Sequence, residues 1–199
     1  MFAAIRYNLG HLLDFTGRDA RQTFWFYVVF LVILDIAIGV VVYVPSLVSS
    51  VGTAVEAAQA GASDRDVQAQ MMARMQDTLG TTLWVTIAAS AAIPLLLLAA
   101  FVRRLHDSDK SGWWAALPLA MQAASIAVSI RISGDMQAMM HEALAAGNDP
   151  AKLQSVMAHQ SEYASYGMIG WIGILIVVAF GALKSTDGPN RYGAEPVRF

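Results

Sequence analysis

The sequence predicts an all-α integral membrane protein: a four-helix bundle with both termini in the cytoplasm and two helical hairpins on the outer side. Two observations lead to this fold class. Hydrophobic residues make up 56% of the 199 residues and charged residues only 14%, against about 25% in a soluble domain. In addition, the sequence contains four long apolar runs, and such runs are typical of membrane-spanning helices.

The four predicted spans cover residues 24–44, 83–102, 113–130 and 166–183. The first has 21 residues and would be about 31 Å long as a helix, enough to cross a hydrocarbon core of about 30 Å. Aromatic residues at both of its ends are typical of interfacial anchors, and Pro45 marks the exit of the span from the membrane. The last two spans have 18 residues each, so we expect them to stand nearly upright.

The distribution of lysine and arginine sets the expected orientation. Nine of the 13 lie before the first span, between spans two and three, or after span four, and the other four lie in the two longer loops. Because positively charged loops stay in the cytoplasm, we expect residues 103–112 and both termini there. Residues 1–199 would then form a single membrane domain.

The two outer segments, 45–82 and 131–165, are expected to form helical hairpins that prolong the spans. In the first, Ser63 and Asp66 resemble a capping box that would start a helix running into span two. In the second, Asp149-Pro150 is typical of a helix restart. At the other side, residues 1–22 begin with an apolar stripe that predicts a short helix on the membrane surface, the alternative being a frayed tail.

Asp35 is the only charged residue inside a predicted span. An ionised carboxylate near the bilayer centre costs about 2.5–3.5 kcal/mol on insertion scales, so it should face the bundle and have a partner. Gln122, at a matching depth in span three, is one candidate. The functional interpretation is a proton relay or cation site in a small transporter or channel. The structural interpretation, which we favour, is a protonated Asp35 that holds neighbouring helices together.

Small residues predict where spans three and four approach another helix closely. They recur at helical spacing as Ala116, Ala120 and Ala124 and as Gly167, Gly170 and Gly173. Small side chains let helix backbones come together in lipid. The pattern leaves open whether these faces meet within one chain or across a homo-oligomer.

Three motifs lie at the predicted cytoplasmic ends of the spans: FTGRDARQTFW at 15–25, RRLHDSDKSGWW at 103–114 and DGPNRYG at 187–193. In this order they resemble the bacterial inner-membrane family of YhaH-like proteins, domain of unknown function family eight hundred and five. That family shows a GR-x-x-R-x-x-(F/Y)W start, an R-x-x-D-x-x-x-SGWW centre and a G-x-NRYG end. The resemblance implies a multi-pass protein of the bacterial inner (plasma) membrane and supplies no catalytic residues. Thr23 and Ser108-Asp109-Lys110 depart from the family pattern, in which an acid and Thr-Gly-Arg are more usual.

We call twelve polar and aromatic residues of these motifs the clasp and expect them to converge at the cytoplasmic face. They are Arg18, Arg21, Arg103, Arg104, His106, Asp107, Lys110, Trp113, Trp114, Asn190, Arg191 and Tyr192. One interpretation is a structural seal of ion pairs and turn hydrogen bonds. The other is that surplus arginine and lysine bind an anionic lipid headgroup, a phosphate or a protein partner. Both describe a non-enzymatic scaffold or accessory subunit. An enzyme site at His106-Asp107 is a weaker alternative because the sequence implies no nucleophile.

We expect no cofactor, no metal and no nucleic-acid partner. The absence of cysteine excludes disulfides, thiol nucleophiles and thiolate metal sites, and the net charge of -2 does not indicate a nucleic-acid partner. Two histidine–glutamate pairs, His141 with Glu142 and His159 with Glu162, would suit zinc if the hairpins faced each other. Solvated residues on amphipathic helices explain them more simply.

Overall fold

The computed structural model describes residues 1–59, 64–146 and 168–196, and in these ranges the chain is helical, with one isolated β-bridge and no strand. The helices are α1 (Phe2–Gly10), α2 (Arg21–Gln59), α3 (Asp64–Asp107), a 3₁₀ turn (Gly112–Ala115), α4 (Ala116–Ala146) and α5 (Met168–Ala182). The all-helical prediction is confirmed for this part of the chain.

Three helical segments are long and apolar enough to cross a membrane: Arg21–Thr53, Thr82–Asp107 and Gly112–Asp135. The described part of α5 is shorter but equally apolar. Only 6% to 22% of each apolar window is buried inside the protein. A surface this apolar and this exposed is what lipid covers and water does not.

The helices extend beyond the predicted spans. α2 continues through Pro45 to Gln59, beyond the predicted end of the first span at residue 44. A proline inside a helix removes one backbone hydrogen bond, and membrane helices accommodate this when neighbouring hydroxyls bond to the backbone. The carbonyl that Pro45 leaves without a helical partner is that of Val41, and the nearby Ser46 hydroxyl donates to the next carbonyl, that of Val42, at 3.1 Å.

The second hydrophobic helix runs on as expected. α3 begins at Asp64 and continues without interruption into span two. Ser63, the cap predicted for it, lies outside the described residues, as does the restart predicted at Asp149-Pro150. The packing of the two predicted hairpins on each other therefore stays a prediction.

The contacts divide the chain into two compact units, one made of Met1–Ile33 with Ser90–Phe199 and the other of Leu34–Ala89. In the second unit the hydroxyls of Tyr43 and Thr86 lie 3.2 Å apart and link α2 to α3. The first unit contains all the buried residues of the described chain, so the candidate site lies there.

Asp35 lies on the expected face of α2 but is exposed. α2 buries Phe24, Tyr27 and Leu31 on one stripe, and Asp35 continues that stripe one turn later. Tight packing against α2 ends after Leu31, however, so Asp35 is exposed. No described residue forms a hydrogen bond or ion pair with its carboxylate. Helical periodicity predicted the correct face but could not predict where packing along it stops.

Aromatic rings form the core of the first unit and fix the helix ends around the clasp. The ring of Phe101 lies 6.1 Å from Phe24 and 6.5 Å from Phe180, and Trp114 lies 5.5 Å from Phe180, measured between centroids. These contacts join α2, α3, α5 and the 3₁₀ turn. Gly181 makes the approach possible, since a Cβ there would lie 2.6 Å from the Phe24 ring.

Gln122 has a structural role that explains its place inside a span. Pro94 has no N–H, so the carbonyl four residues earlier, on Ser90, loses its helical partner. The amide nitrogen of Gln122 donates to this carbonyl at 3.0 Å. The hydrogen bond therefore satisfies a backbone group that lipid cannot hydrate.

The glycine face of α5 packs within one chain. A Cβ at Gly170 would lie 3.2 Å from the Ser125 hydroxyl, and one at Gly173 would lie 3.3 Å from Met121. α5 thus approaches α4 on its Met121–Ser125 side, and Ala116 and Ala120 of α4 are exposed. Gly170 and Gly173 thus pack against Ser125 and Met121 of α4, and Gly167 lies outside the described residues.

Candidate functional site

The three sequence motifs converge in the first unit around a cluster of buried charges. Three arginines and two aspartates are at most 6% exposed: Arg18, Arg103, Arg104, Asp19 and Asp107. A buried charge is costly unless ion pairs and hydrogen bonds replace its hydration. The arrangement of their partners shows how this cost is met.

Asp107 is the centre of the cluster, and both of its carboxylate oxygens are engaged. Oδ1 accepts from Nε and Nη2 of Arg18, at 3.2 and 3.0 Å. Oδ2 accepts from Nη1 of Arg104 at 2.5 Å. The backbone carbonyl of Asp107 accepts from both the N–H and the hydroxyl of Thr186. One residue near the end of α3 therefore connects the segment before α2 with the segment after α5.

Arg104 caps the carboxyl end of α5. Its Nε donates to the carbonyl of Gly181 at 3.0 Å, and Nη2 donates to the carbonyl of Leu183. These carbonyls lie at a helix end, where four backbone oxygens lack intrahelical partners and the helix dipole favours a cation. The guanidinium thus neutralises Asp107 and a helix terminus together.

Arg103, one position earlier and about 100° around the helix, holds the amino-terminal segment. Its Nη1 donates to the carbonyls of His11 and Asp14, at 2.9 and 2.5 Å, and Nη2 donates to Oδ1 of Asn8 at 2.6 Å. Its Nε lies 3.1 Å from Oδ2 of Asp19, an ion pair without hydrogen-bond alignment. Two consecutive arginines therefore fasten two different parts of the chain to α3.

Burial raises the pKa of the Asp19 carboxyl above its ordinary value, and the neighbouring Arg103 guanidinium opposes this shift. Asp14 behaves in the opposite way. Hydrogen bonds from the hydroxyl and N–H of Thr16 hold the pKa of Asp14 below its usual range. The two aspartates of this segment thus have different environments: Asp19 is buried, and Asp14 lies at the surface.

Arg18 anchors the carboxyl-terminal tail in addition to Asp107. Its Nη1 donates to the carbonyl of Gly188 at 2.6 Å and its Nη2 to the carbonyl of Thr186 at 2.8 Å. The cluster has three arginines and only two aspartates, so the aspartates cannot accept hydrogen bonds from every guanidinium N–H group. These backbone carbonyls accept the hydrogen bonds that remain. The buried guanidinium groups therefore point inward.

The NRYG string forms a tight turn that docks on the end of α3. Asn190 and Gly193 pair through both of their backbone hydrogen bonds, and Gly193 has a φ of 139°, which favours glycine. The Asn190 amide donates to the carbonyl of His106 at 2.9 Å and to the Thr186 hydroxyl at 2.8 Å. Its Oδ1 accepts from the N–H of Tyr192 at 2.9 Å. Asn190 thus holds the turn together and attaches it to α3.

His106, Tyr192 and Arg191 form a stack at the edge of the clasp. The rings of His106 and Tyr192 are parallel with centroids 3.9 Å apart, and Arg191 lies 4.8 Å from the Tyr192 centroid. Nδ1 of His106 lies 3.2 Å from the carbonyl of Gly17. Since both oxygens of Asp107 bind arginines, the His106-Asp107 pair considered above as base and orienting acid does not form.

The end of α3 is closed by a Schellman-type cap. The N–H of Lys110 donates to the carbonyl of Leu105, and the N–H of Asp109 donates to that of His106. Asp109 has a φ of 54°, the left-handed conformation usual for glycine at this position. The departure from the Thr-Gly-Arg pattern thus places an aspartate where glycine fits best. Asp109 also pairs with Arg191 at 3.0 Å.

The remaining cations of the clasp are exposed. Arg191 is paired, as is Lys184 just outside the set. Arg21 and Lys110 are exposed and have no ion-pair partner among the described residues. Trp113 is 85% exposed and Trp114 49%. We call Arg21, Lys110 and Trp113 the rim.

A cleft of about 170 Å³ opens beside Arg21. Its lining residues are Ala20, Arg21, Gln22, Ser185, Glu195 and Pro196. The first turn of α2 lies at this cleft, and a helix begins with unpaired N–H groups that favour anions. Glu195 brings a negative charge to the same lining, so the cleft is mixed in polarity.

Sequence reasoning missed two partners of the buried arginines, Asn8 and Thr186. Asn8 is 1% exposed and binds Arg103, and Thr186 bonds to Asp107 and Asn190. Asn8 lies off the apolar stripe of α1, and this pattern gave no signal that it would be buried. Thr186 lies within an ordinary turn sequence and gave none.

The predicted zinc alternative falls mostly outside the described chain. His159 and Glu162 are not described, and His141 and Glu142 lie in α4 with side chains that are not described. Among the described residues, no group of three or more histidines or acids is placed to hold a metal ion.

The fold and the clasp together define a multi-pass helical membrane protein with a buried arginine–aspartate cluster at one end of its spans. A family model described as "Protein of unknown function (DUF805)" matches residues 12–194. The chain therefore belongs to the DUF805 family, and the resemblance seen in the three motifs is confirmed. No curated protein and no solved structure matches the chain.

Proposed function

We propose that the protein is a non-enzymatic scaffold or accessory subunit of the bacterial inner membrane, whose rim binds anionic lipid headgroups on the cytoplasmic side. One observation carries the proposal. The clasp separates its cations into buried arginines with inward partners and exposed cations, and of the exposed ones Arg21 and Lys110 have no ion-pair partner among the described residues. The buried group maintains the fold, which leaves Arg21 and Lys110 for an external anion.

The chemistry of the rim fits a headgroup phosphate. A basic residue near an anionic membrane surface contributes about 1 kcal/mol to lipid binding. Lys110 and the exposed Trp113 belong to the same short connection, and tryptophan prefers the headgroup level. Arg21 adds its charge beside the cleft at the start of α2. Nine of the 13 lysines and arginines lie in the three segments predicted on this side of the membrane, which supports a cytoplasmic location for the rim.

Lipid titration of the detergent-solubilised protein tests the proposal. Phosphatidylglycerol or cardiolipin should bind in preference to phosphatidylcholine, as measured by native mass spectrometry. Arg21→Gln/Lys110→Gln should remove most of that preference. Lys184→Gln is the matched control, because its side chain is 79% exposed and already paired with Asp187, and it should retain binding.

Three results would contradict the lipid role. Equal binding of anionic and zwitterionic lipid by the wild-type protein would exclude headgroup recognition. Equal loss in the rim variant and in the Lys184→Gln control would show that only total charge matters. Loss of a co-purifying protein from the rim variant, with lipid binding unchanged, would assign the rim to a protein partner.

The alternative function, a small transporter or channel that uses Asp35, has weaker support. Its basis is a carboxylate inside the Arg21–Thr53 span. Proton relays normally use several ionisable groups within the membrane, and Asp35 has no described polar partner. Asp35→Asn should therefore leave proton and cation flux in liposomes unchanged, and a loss of measurable flux would restore the transporter hypothesis.

A further inference from the structure

Helix α1 presents its apolar side away from the protein. Ala4 is 0% and Asn8 1% exposed, whereas Phe2 is 80% and Leu9 43% exposed, and Leu13 just beyond the helix is 88% exposed. A helix on the surface of a soluble protein shows the opposite order, with its apolar stripe toward the core. Another apolar medium must therefore cover this stripe.

Polar contacts hold α1 in this orientation. Asn8 accepts from Arg103 at 2.6 Å, and the Arg103 guanidinium lies 5.5 Å from the centroid of the Tyr7 ring. The ring of His11 stacks on the ring of Tyr7, with centroids 4.4 Å apart. The buried side of α1 thus contacts the Arg103 guanidinium. As a consequence, the apolar side of α1 faces away from the protein.

The attachment point gives the level at which α1 lies. Arg103 is in the last turns of the Thr82–Asp107 segment, where this candidate span leaves the membrane. Trp113, which is 85% exposed, opens the next candidate span. α1 is therefore fastened where lipid-covered helix surface ends and the headgroup region begins. Its exposed stripe continues that surface.

Charge favours an anionic bilayer as the occupant. Residues 1–13 contain Arg6 and His11 and no aspartate or glutamate. Arg6 is exposed and lies about 40° from Phe2 around the helix. A basic residue flanking an exposed apolar stripe is typical of helices that lie in the plane of a membrane.

We propose that α1 lies in the membrane interface with Phe2, Leu9 and Leu13 inserted among the lipids of an anionic bilayer. This is a second contact with lipid, separate from the rim. It uses insertion of side chains instead of headgroup recognition and does not depend on Arg21 or Lys110.

The absence of cysteine makes a site-specific test direct. Single cysteines replace Phe2, Leu9 or Leu13, and Ala3→Cys is the control, since Ala3 is exposed but lies about 100° from Phe2. Each carries a nitroxide label in nanodiscs of phosphatidylglycerol and phosphatidylcholine. Power-saturation electron paramagnetic resonance then compares collisions with oxygen, which dissolves in lipid, and with a water-soluble nickel chelate.

Labels at Phe2, Leu9 and Leu13 should collide with oxygen and be shielded from nickel, whereas the label at Ala3 should be accessible to nickel. Equal nickel access at all four sites would overturn the proposal, because water would then cover the stripe. Shielding from both reagents would assign the stripe to a protein partner. Dipolar broadening between labels would assign it to a second copy of this chain. If one cysteine variant does not fold, the other two positions of the stripe are compared with Ala3→Cys.

Discussion

Asp107→Asn is the substitution that most sharply tests whether the clasp holds the fold together. Asparagine keeps the size of the side chain but removes the charge that faces Arg18 and Arg104, both buried to the same degree. Its amide would place a donor against a guanidinium. Breaking a buried ion pair in this way typically costs about 3–5 kcal/mol. For a chain of this length that corresponds to a fall of roughly 6–20 °C in Tm.

The assay is thermal unfolding of the detergent-solubilised protein at a fixed scan rate. Asp187→Asn is the matched control, because the Asp187 side chain is 88% exposed and pairs with an equally exposed Lys184. An exposed pair contributes about 0–1 kcal/mol, so the control should change Tm by only a few degrees. The same substitution thus has two very different expected effects within one protein.

A second variant separates charge from packing. Arg18→Gln added to Asp107→Asn removes one of the two uncompensated guanidinium groups, so the double variant should lose less stability than the two single losses combined. Additive losses, or an Asp107→Asn variant as stable as Asp187→Asn, would refute the reasoning. The carboxylate would then be a passive part of the cluster.

Two further predictions follow from single contacts. Gln122→Leu should lower the free energy of unfolding by about 1–2 kcal/mol, because it leaves the Ser90 carbonyl without a donor. In a Pro94→Ala background, which restores a backbone N–H, the same substitution should have almost no effect. Equal losses in both backgrounds would exclude this role for Gln122. For Asp19, whose carboxyl has a raised pKa, the folded state binds the proton more tightly than the unfolded state. Stability is therefore lost as the pH rises from the ordinary pKa through the raised one. Asp19→Asn removes this loss, so the stability of the variant relative to wild type should improve between pH 4 and pH 7, measured by unfolding at each pH, and a difference independent of pH would contradict it.

The sequence predicted the membrane class and the motifs that meet, because both depend on properties that residues carry individually. Long apolar runs require a lipid environment wherever they pack. Charged strings at their ends must lie near one another when the spans form one bundle. These inferences need no knowledge of which side chain touches which.

The sequence could not predict which arginines are buried. Arg18 and Arg21 are three residues apart in one motif, yet the first is buried and the second exposed. The difference arises because the end of α5 brings the tail beside Arg18 and Asp107. That approach depends on a tertiary contact, the close packing of Gly181 on Phe24. Patterns within one segment contain no information about it.

Two positions in α2 show what local patterns leave out. Pro45 marks the predicted end of the first span, but the helix continues through it to Gln59. Asp35 lies on the predicted face, but the packing that would bury it ends at Leu31. Both outcomes depend on tertiary packing, which the residues of one segment do not encode.

Cysteine accessibility tests the central claim, that the three motifs of the clasp lie on the same side of the membrane in a multi-pass protein. The positions are Lys110→Cys in the clasp, Asp187→Cys in the tail and Glu56→Cys near the far end of α2, all exposed. In intact spheroplasts a membrane-impermeant maleimide should label Glu56→Cys only, and after lysis it should label all three. Labelling of Lys110→Cys and Asp187→Cys from opposite sides would contradict the account, because the motifs could not then meet in one clasp.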